Sequence, residues 1–113
     1  MPRSGKIGGA LSGAAFSLML TCSAAFAGET HQVFIEKFEF APANLTIKRG
    51  DMVEFVNKDI APHTATEESD YLWDTGELAK NQSARIEFSE IGTSNYFCAF
   101  HPHMKAEITV TPN

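Results

Sequence analysis

Three side chains with metal-donor atoms sit at three-residue intervals near the end of this 113-residue chain, as Cys98-x2-His101-x2-Met104. A turn leaving a strand can fold a thiolate, an imidazole and a thioether at that spacing around one point. A second imidazole, His63, lies upstream in the stretch Ala61-Pro62-His63-Thr64. Sulfur ligands combined with imidazole suit copper, and two His, one Cys and a weak axial Met describe a blue-copper electron-transfer site. Cys98 would bind as thiolate because a metal displaces its proton. His63 and His101 would bring neutral imidazole nitrogens, each needing its other ring nitrogen fixed by a partner or by solvent. Met104 would be the axial ligand. Taken singly, His63 reads as a loop histidine and Met104 as core filler; their joint occurrence with Cys98 is what carries the assignment.

Four protein ligands leave no open coordination position for a substrate, so the set predicts an electron carrier and not an enzyme. A protein that delivers or buffers copper is the alternative, as is zinc at the same site. Only Met52 and Met104 lie beyond position 27, which disfavours a Met-rich copper carrier, whereas His31 and His103 leave the option open.

The first residues carry a different signal. Arg3 and Lys6 precede an apolar run through Leu11, Phe16, Leu18, Met19 and Leu20, and Ala25-Phe26-Ala27 places small residues where a signal peptidase reads. The expectation is a secretory signal peptide over residues 1–27, cut after Ala27, with no stable membrane insertion. Residues 28–113 then form one small domain, exported to the periplasm. The formal charge of −5 becomes more negative on cleavage, since Arg3 and Lys6 leave and no carboxylate does. An acidic domain of this kind does not bind nucleic acid by neutralising phosphates, but it can be steered to a basic partner. Cys22 leaves with the signal, so Cys98 has no intrachain partner, and an unpaired thiol in an exported chain calls for a metal or an intermolecular bond.

The elements that must position the four donors read as short strands. Alternation runs through Val33 and Ile35, Phe38 and Phe40, Leu45 and Ile47, Val53 and Phe55, Ala84 to Phe88, Asn95 to Cys98, and Ile108 and Val110. His63 to Thr66 is expected as a further short strand, and Arg49-Gly50-Asp51 and Gly92 as turns. Glu67 to Lys80 is polar and irregular, with room for one turn of helix. Together these predict an all-β, antiparallel sandwich.

The chain resembles a cupredoxin, and its Cys-x2-His-x2-Met spacing is that of the amicyanins. Phe38-Glu39-Phe40-Ala41-Pro42, Leu45, Gly50-Asp51, Val53 to Asn57, Pro62-His63-Thr64, Gly92, Tyr96-Phe97-Cys98 and Ile108-Thr109-Val110 match in order. The resemblance implies a Greek-key β-sandwich of about eight strands holding one type 1 copper ion between loops at one end. It implies that the His101 ring reaches the surface through an apolar patch, for which Ile60, Pro62, Phe100 and Pro102 are candidates. It also implies that Asn57 ties the His63-bearing loop to the Cys98-bearing loop. Amicyanins take electrons from methylamine dehydrogenase and pass them to a c-type cytochrome, so the expected partners of a monomeric carrier are redox proteins of those kinds.

Three residues depart from the family pattern: Ala99 where Ser or Thr is usual, Phe100 where Pro is usual, and His103 where amicyanins carry Phe. All lie where hydrogen bonding and hydrophobicity around the sulfur set the potential. His103 reads as an exposed loop side chain or as a group beside the site. Glu67, Glu68, Asp70, Asp74 and Glu77 read as a solvated face or as a docking surface, with Tyr71 and Trp73 anchoring that segment.

Overall fold

Alternating burial follows the alternating residue types. The computed structural model describes residues 28–113, and the expected signal segment over 1–27 lies outside the described residues. Eight strands follow in order: β1 (Thr30–Glu36), β2 (Glu39–Ala41), β3 (Asn44–Lys48), β4 (Met52–Asn57), β5 (Thr66–Glu67), β6 (Ser83–Glu87), β7 (Gly92–Phe97) and β8 (Lys105–Thr111). One sheet runs β2-β1-β4-β6 and the other β3-β8-β7-β5. Val33, Ile35, Val53 and Phe55 from the first face Ile47, Tyr96, Ile108 and Val110 from the second, all buried. The all-β sandwich is as the sequence predicts.

The sheets are mixed and not purely antiparallel. β1 runs parallel to β4, and β3 parallel to β8. The chain changes sheet between β2 and β3 and again before β4, so neighbours reached through the opposite sheet end up pointing the same way. Alternation reports which face is buried and says nothing about direction. The pairing of Ile35 with Asn57 makes the β1–β2 hairpin and the loop after β4 leave the first sheet at one end. There they meet the Cys98–Met104 turn, whose flanking residues Phe97 and Lys105 pair with each other.

Two expectations change in detail. Phe38 does not continue the strand: with Lys37 it forms the two-residue turn of the β1–β2 hairpin, and it is 44% exposed. Both turn residues have positive φ, 55° and 58°. Those values suit the twist of a tight hairpin but cost side-chain-bearing residues about 1–2 kcal/mol each. His63 to Thr66 is not a continuous strand either. Only Thr66 and Glu67 join β7, while His63 makes an isolated bridge to Leu78.

The 67–80 segment contains no helical turn. Trp73 anchors it, stacked on Phe55 at 5.8 Å and packed edge-on to Phe88 at 5.2 Å. Tyr71 is not an anchor but lies largely exposed over Phe97. Glu67, counted above with the acidic face, is buried. Its carboxylate accepts bonds from the Ser69 hydroxyl and amide and from the amides of Asp70 and Leu72. The Ser69 hydroxyl is the largest influence; with the three amides it outweighs burial and brings the Glu67 pKa down to about 2.

A depressed carboxyl pKa stabilises the fold above the unfolded value and loses that contribution as pH falls through the folded one. Glu67→Gln should therefore lower the urea-unfolding stability by about 2 kcal/mol at pH 7. The gap to the parent should narrow between the ordinary value of 4.5 and about 2. A gap independent of pH across that window would contradict this account.

Candidate metal centre

The turn after β7 is closed by its own backbone. His101 N–H donates to the Cys98 carbonyl (3.1 Å), Met104 N–H to the His101 carbonyl (2.9 Å), and Cys98 N–H to the Met104 carbonyl (3.1 Å). Each candidate ligand is thus bonded to the next, which is why a three-residue spacing can turn all of them towards one side. His63 is held separately, its backbone exchanging two bonds with Leu78 at 3.1 and 2.8 Å.

Together these segments place Cys98 Sγ 3.6 Å from Nδ1 of both His63 and His101. The three donors lie within 4.8 Å of one another. Cys98 and His63 are fully buried, Met104 is 3% exposed, and His101 is half-buried. Metal–sulfur and metal–imidazole bonds of about 2.3 and 2.0 Å, at angles between tetrahedral and trigonal, require donors about 3.5–3.7 Å apart. The donor set therefore fits a copper ion, with Met104 buried beside it. His103 stands outside the cluster, exposed, its ring 6.5 Å from that of His101. His31 is engaged at the opposite end of β1, where its Nε2 lies 2.8 Å from Asp51 Oδ2.

Two residues at the site were not foreseen. The first is Asp59, whose Oδ2 lies 2.8 Å from His63 Nε2, leaving Nδ1 to face the sulfur. The same carboxylate accepts the amides of Lys37 (2.8 Å) and Phe38 (2.9 Å). Burial works to raise the Asp59 carboxyl, but the Phe38 amide, the His63 ring and the Lys37 amide outweigh it and hold it below its usual range. The sequence does offer one signal for Asp59: a carboxylate four residues before a candidate ligand whose second nitrogen needs a partner. The second is Phe38, whose ring centroid lies 5.0 Å from that of His63 and 4.9 Å from that of His101. No sequence signal separates it from Phe40 in the core.

Asn57 does not join the two ligand loops. Its amide donates to the carbonyls of Ala61 (2.9 Å) and Leu78 (2.8 Å), and its oxygen accepts the Asp59 amide (2.8 Å). Ala99 has no hydroxyl for it to reach. Thr64 makes the junction instead: its N–H donates to Cys98 Sγ (3.3 Å), and its Oγ1 accepts the Ala99 amide (2.8 Å). The chain continues through Thr66 Oγ1 (2.9 Å) to Asp74 Oδ1 (3.0 Å). Because the carboxylate only accepts, Thr66 donates to Asp74 and Thr64 donates to Thr66.

Ile60 is 84% and Phe100 48% exposed, and Pro62 and Pro102 are also exposed, so all four candidates for the apolar patch reach the surface. Phe38 belongs to it as well. Among the described residues, no helix is long and apolar enough to cross a membrane.

Residues 9–110 match the family of the cupredoxin-like domain. Amicyanin of Paracoccus versutus is 34% identical over 82 residues, which are 69% of this chain and 62% of that protein. The chain thus spans less than two thirds of that relative's length. A solved Cu(I) form of an amicyanin mutant superposes with a TM-score of 0.69 at 30% identity, covering 77% of this chain and 87% of that one. A Cu-containing nitrite reductase from Thermus scotoductus SA-01 gives a TM-score of 0.70 at 29% identity, covering 79% of this chain but 24% of that one.

Thr64→Val keeps the backbone bond to sulfur but removes the acceptor of the Ala99 amide. It should lower the stability of the metal-free protein by about 1 kcal/mol, read as a shifted urea midpoint, and Thr64→Ser should recover most of it. Equal losses in both variants would place the contribution in packing and not in the hydroxyl.

Proposed function

The chain belongs to the cupredoxin-like family, and we propose on that footing that it is an exported electron carrier, held by His63, Cys98, His101 and Met104 around its one type 1 copper ion. The observation that carries the reading is the placement of Cys98 Sγ 3.6 Å from both imidazole Nδ1 atoms, in a pocket where only His101 is partly open. When bound, copper supplies a one-electron couple, Cu(II)/Cu(I). The residues supply the rest. Cys98, screened from water and accepting the Thr64 amide, presents a thiolate of fixed orientation. His63 has its backbone fixed by the bridge to Leu78 and its ring by the contact of Nε2 with Asp59, which must break before the imidazole turns. Ligands that move little between oxidation states keep the reorganisation cost low.

Four protein donors leave no place for a substrate, which supports a carrier over an enzyme. The nitrite reductase likeness covers about a quarter of that enzyme. Copper delivery or buffering is disfavoured by the scarcity of thioethers, Met52 and Met104 alone lying beyond position 27, and by the solitary exposure of His103. The His101 ring and the surrounding Ile60, Phe100 and Pro102 are the proposed contact with a redox partner, such as a c-type cytochrome or a periplasmic dehydrogenase. Location in the periplasm rests on Arg3, Lys6 and the Ala25-Phe26-Ala27 stretch.

Loading with Cu(II) should produce an intense visible band that bleaches with ascorbate and returns on reoxidation, and Cys98→Ser should abolish it. A pale spectrum, or copper lost to a mild chelator in either oxidation state, would replace this reading with metal buffering. Pro102→Glu should slow reduction by a partner about tenfold at low salt while leaving the band intact. Unchanged kinetics would move the contact away from His101.

A further inference from the structure

A second set of donor atoms lies towards the end of the sandwich away from the Cys98 turn. Glu29 precedes β1, His31 is the second residue of that strand, and Asp51 sits in the turn between β3 and β4. His31 Nε2 is 2.8 Å from Asp51 Oδ2 and 3.7 Å from Glu29 Oε1. One ligand atom from each of the three lies within 4.8 Å of the others. None of these residues belongs to the Cys98 cluster.

A hydrogen bond does not account for the whole arrangement. A ring nitrogen carries at most one proton, so His31 Nε2 serves one carboxylate, and at 2.8 Å that is Asp51. Glu29, at 3.7 Å, is beyond hydrogen-bond reach of the same nitrogen. Two negative groups therefore converge on a donor that satisfies only one of them. Among the described residues, no Lys or Arg side chain pairs with either carboxylate. Asp51 is nonetheless only 6% exposed, a depth at which a charge calls for a counter-charge. A divalent cation at Nε2 answers both carboxylates at once, and two carboxylates with a neutral imidazole balance its charge.

The distances suit such an ion. With metal–nitrogen and metal–oxygen bonds of about 2.0–2.2 Å, donors 2.8 Å apart subtend about 85° and donors 3.7 Å apart about 130°. Asp51 keeps its backbone bonds when the ion enters: Oδ1 accepts the Glu29 amide at 2.9 Å and Oδ2 the Lys48 amide at 3.0 Å, and only the ring contact is exchanged. The Glu29 side chain is 82% exposed, free to close on the ion from the solvent side. Asp51 also borders an open groove with Gly28, Met52 and Glu87, which gives the ion a way in. One imidazole with two carboxylates favours a borderline cation such as Zn(II) over Mg(II) or Ca(II), which prefer oxygen alone.

The chain shows what the ion would join. Gly28 packs directly on the β3–β4 turn, where a Cβ would collide with the Gly50 carbonyl and Asp51 Oδ1. Met52 N–H donates to the Glu29 carbonyl at 2.8 Å, at the head of the parallel β1–β4 pairing. We propose that Glu29, His31 and Asp51 form a second metal site, for a divalent cation of the zinc class, which clips the start of β1 to the β3–β4 turn. The site shares no residue with the Cys98 cluster, so the inference stands apart from the copper reading.

Zn(II) is the probe, because it is colourless and leaves the visible band to monitor the first site. The copper-loaded protein should retain one equivalent of Zn(II) in equilibrium dialysis, with the band unchanged and the urea midpoint raised. His31→Gln replaces the ring nitrogen by an amide that can still donate to Asp51. It should leave the midpoint without zinc little changed, weaken retention by at least about tenfold and abolish the rise. Glu29→Gln should weaken retention less. His103→Ala, which removes the exposed imidazole at the other end, should retain zinc as the parent does. No retained zinc would overturn the proposal, as would equal retention in parent and His31→Gln, or loss of the zinc in His103→Ala. Zinc held through His31 without a rise in the midpoint would overturn the clip. A parent that takes up two equivalents and never turns blue would overturn the copper reading alone, with His31→Gln still losing one of the two.

Discussion

The site depends on one junction, where the loop leaving the first sheet is pinned to the turn leaving the second. β5 pairs with β7 in antiparallel register, Thr66 opposite Phe97 and Glu67 opposite Tyr96. Continuing that register brings Thr64 against Cys98 and Ala99, where its amide meets the sulfur and its hydroxyl meets the Ala99 amide. His63, one residue earlier, then has its ring beside Cys98. Two residues of edge strand thus decide whether the upstream imidazole reaches the other donors. The hydroxyl relay through Thr66 to Asp74 extends the pin into the 67–80 segment, which Trp73 and Glu67 hold against the sandwich.

Carboxylates at or near full burial do much of the loop-building in this chain, and they do it without Lys or Arg side chains. Glu67 gathers the amides of residues 69, 70 and 72; Asp59 gathers those of 37 and 38 with His63; Asp51 gathers those of Glu29 and Lys48 with His31. Backbone N–H groups that turn away from a strand ladder need acceptors, and an ionised carboxylate offers several in one place. The ion pairs Arg85–Glu54 and Lys105–Glu68, at 3.7 and 3.5 Å on the surface, contribute far less. The acidic composition is in part the architecture of the loops. What remains exposed of the 67–77 run is Glu68, Asp70, Asp74 and Glu77, a smaller charged face than the sequence suggests.

The distribution of exposure gives the centre a direction. Cys98, His63 and Met104 are sealed by the sandwich, and His101 alone of the four donors approaches solvent, its ring packed against that of Phe38. A stiff interior and one apolar opening suit an ion that exchanges electrons without exchanging ligands.

The residues by themselves determined the candidate donors and the fold class. Cys98, His101 and Met104 are close in sequence, and their spacing can be closed by three local backbone bonds, so chemistry and spacing sufficed. The buried faces of β1, β4 and β8 were equally legible, because a period of two is a local property. Contacts between distant segments were not. Nothing local tells Phe38 from Phe40, or ties Asp59 to the hairpin 21 and 22 residues before it, or moves the loop junction from Asn57 to Thr64. Strand direction escaped for the same reason: alternation is identical in parallel and antiparallel pairs. Those features were decided by the tertiary structure, where two sheets and three loops converge and the Phe38 and Ala99 amides find acceptors 21 and 35 positions away.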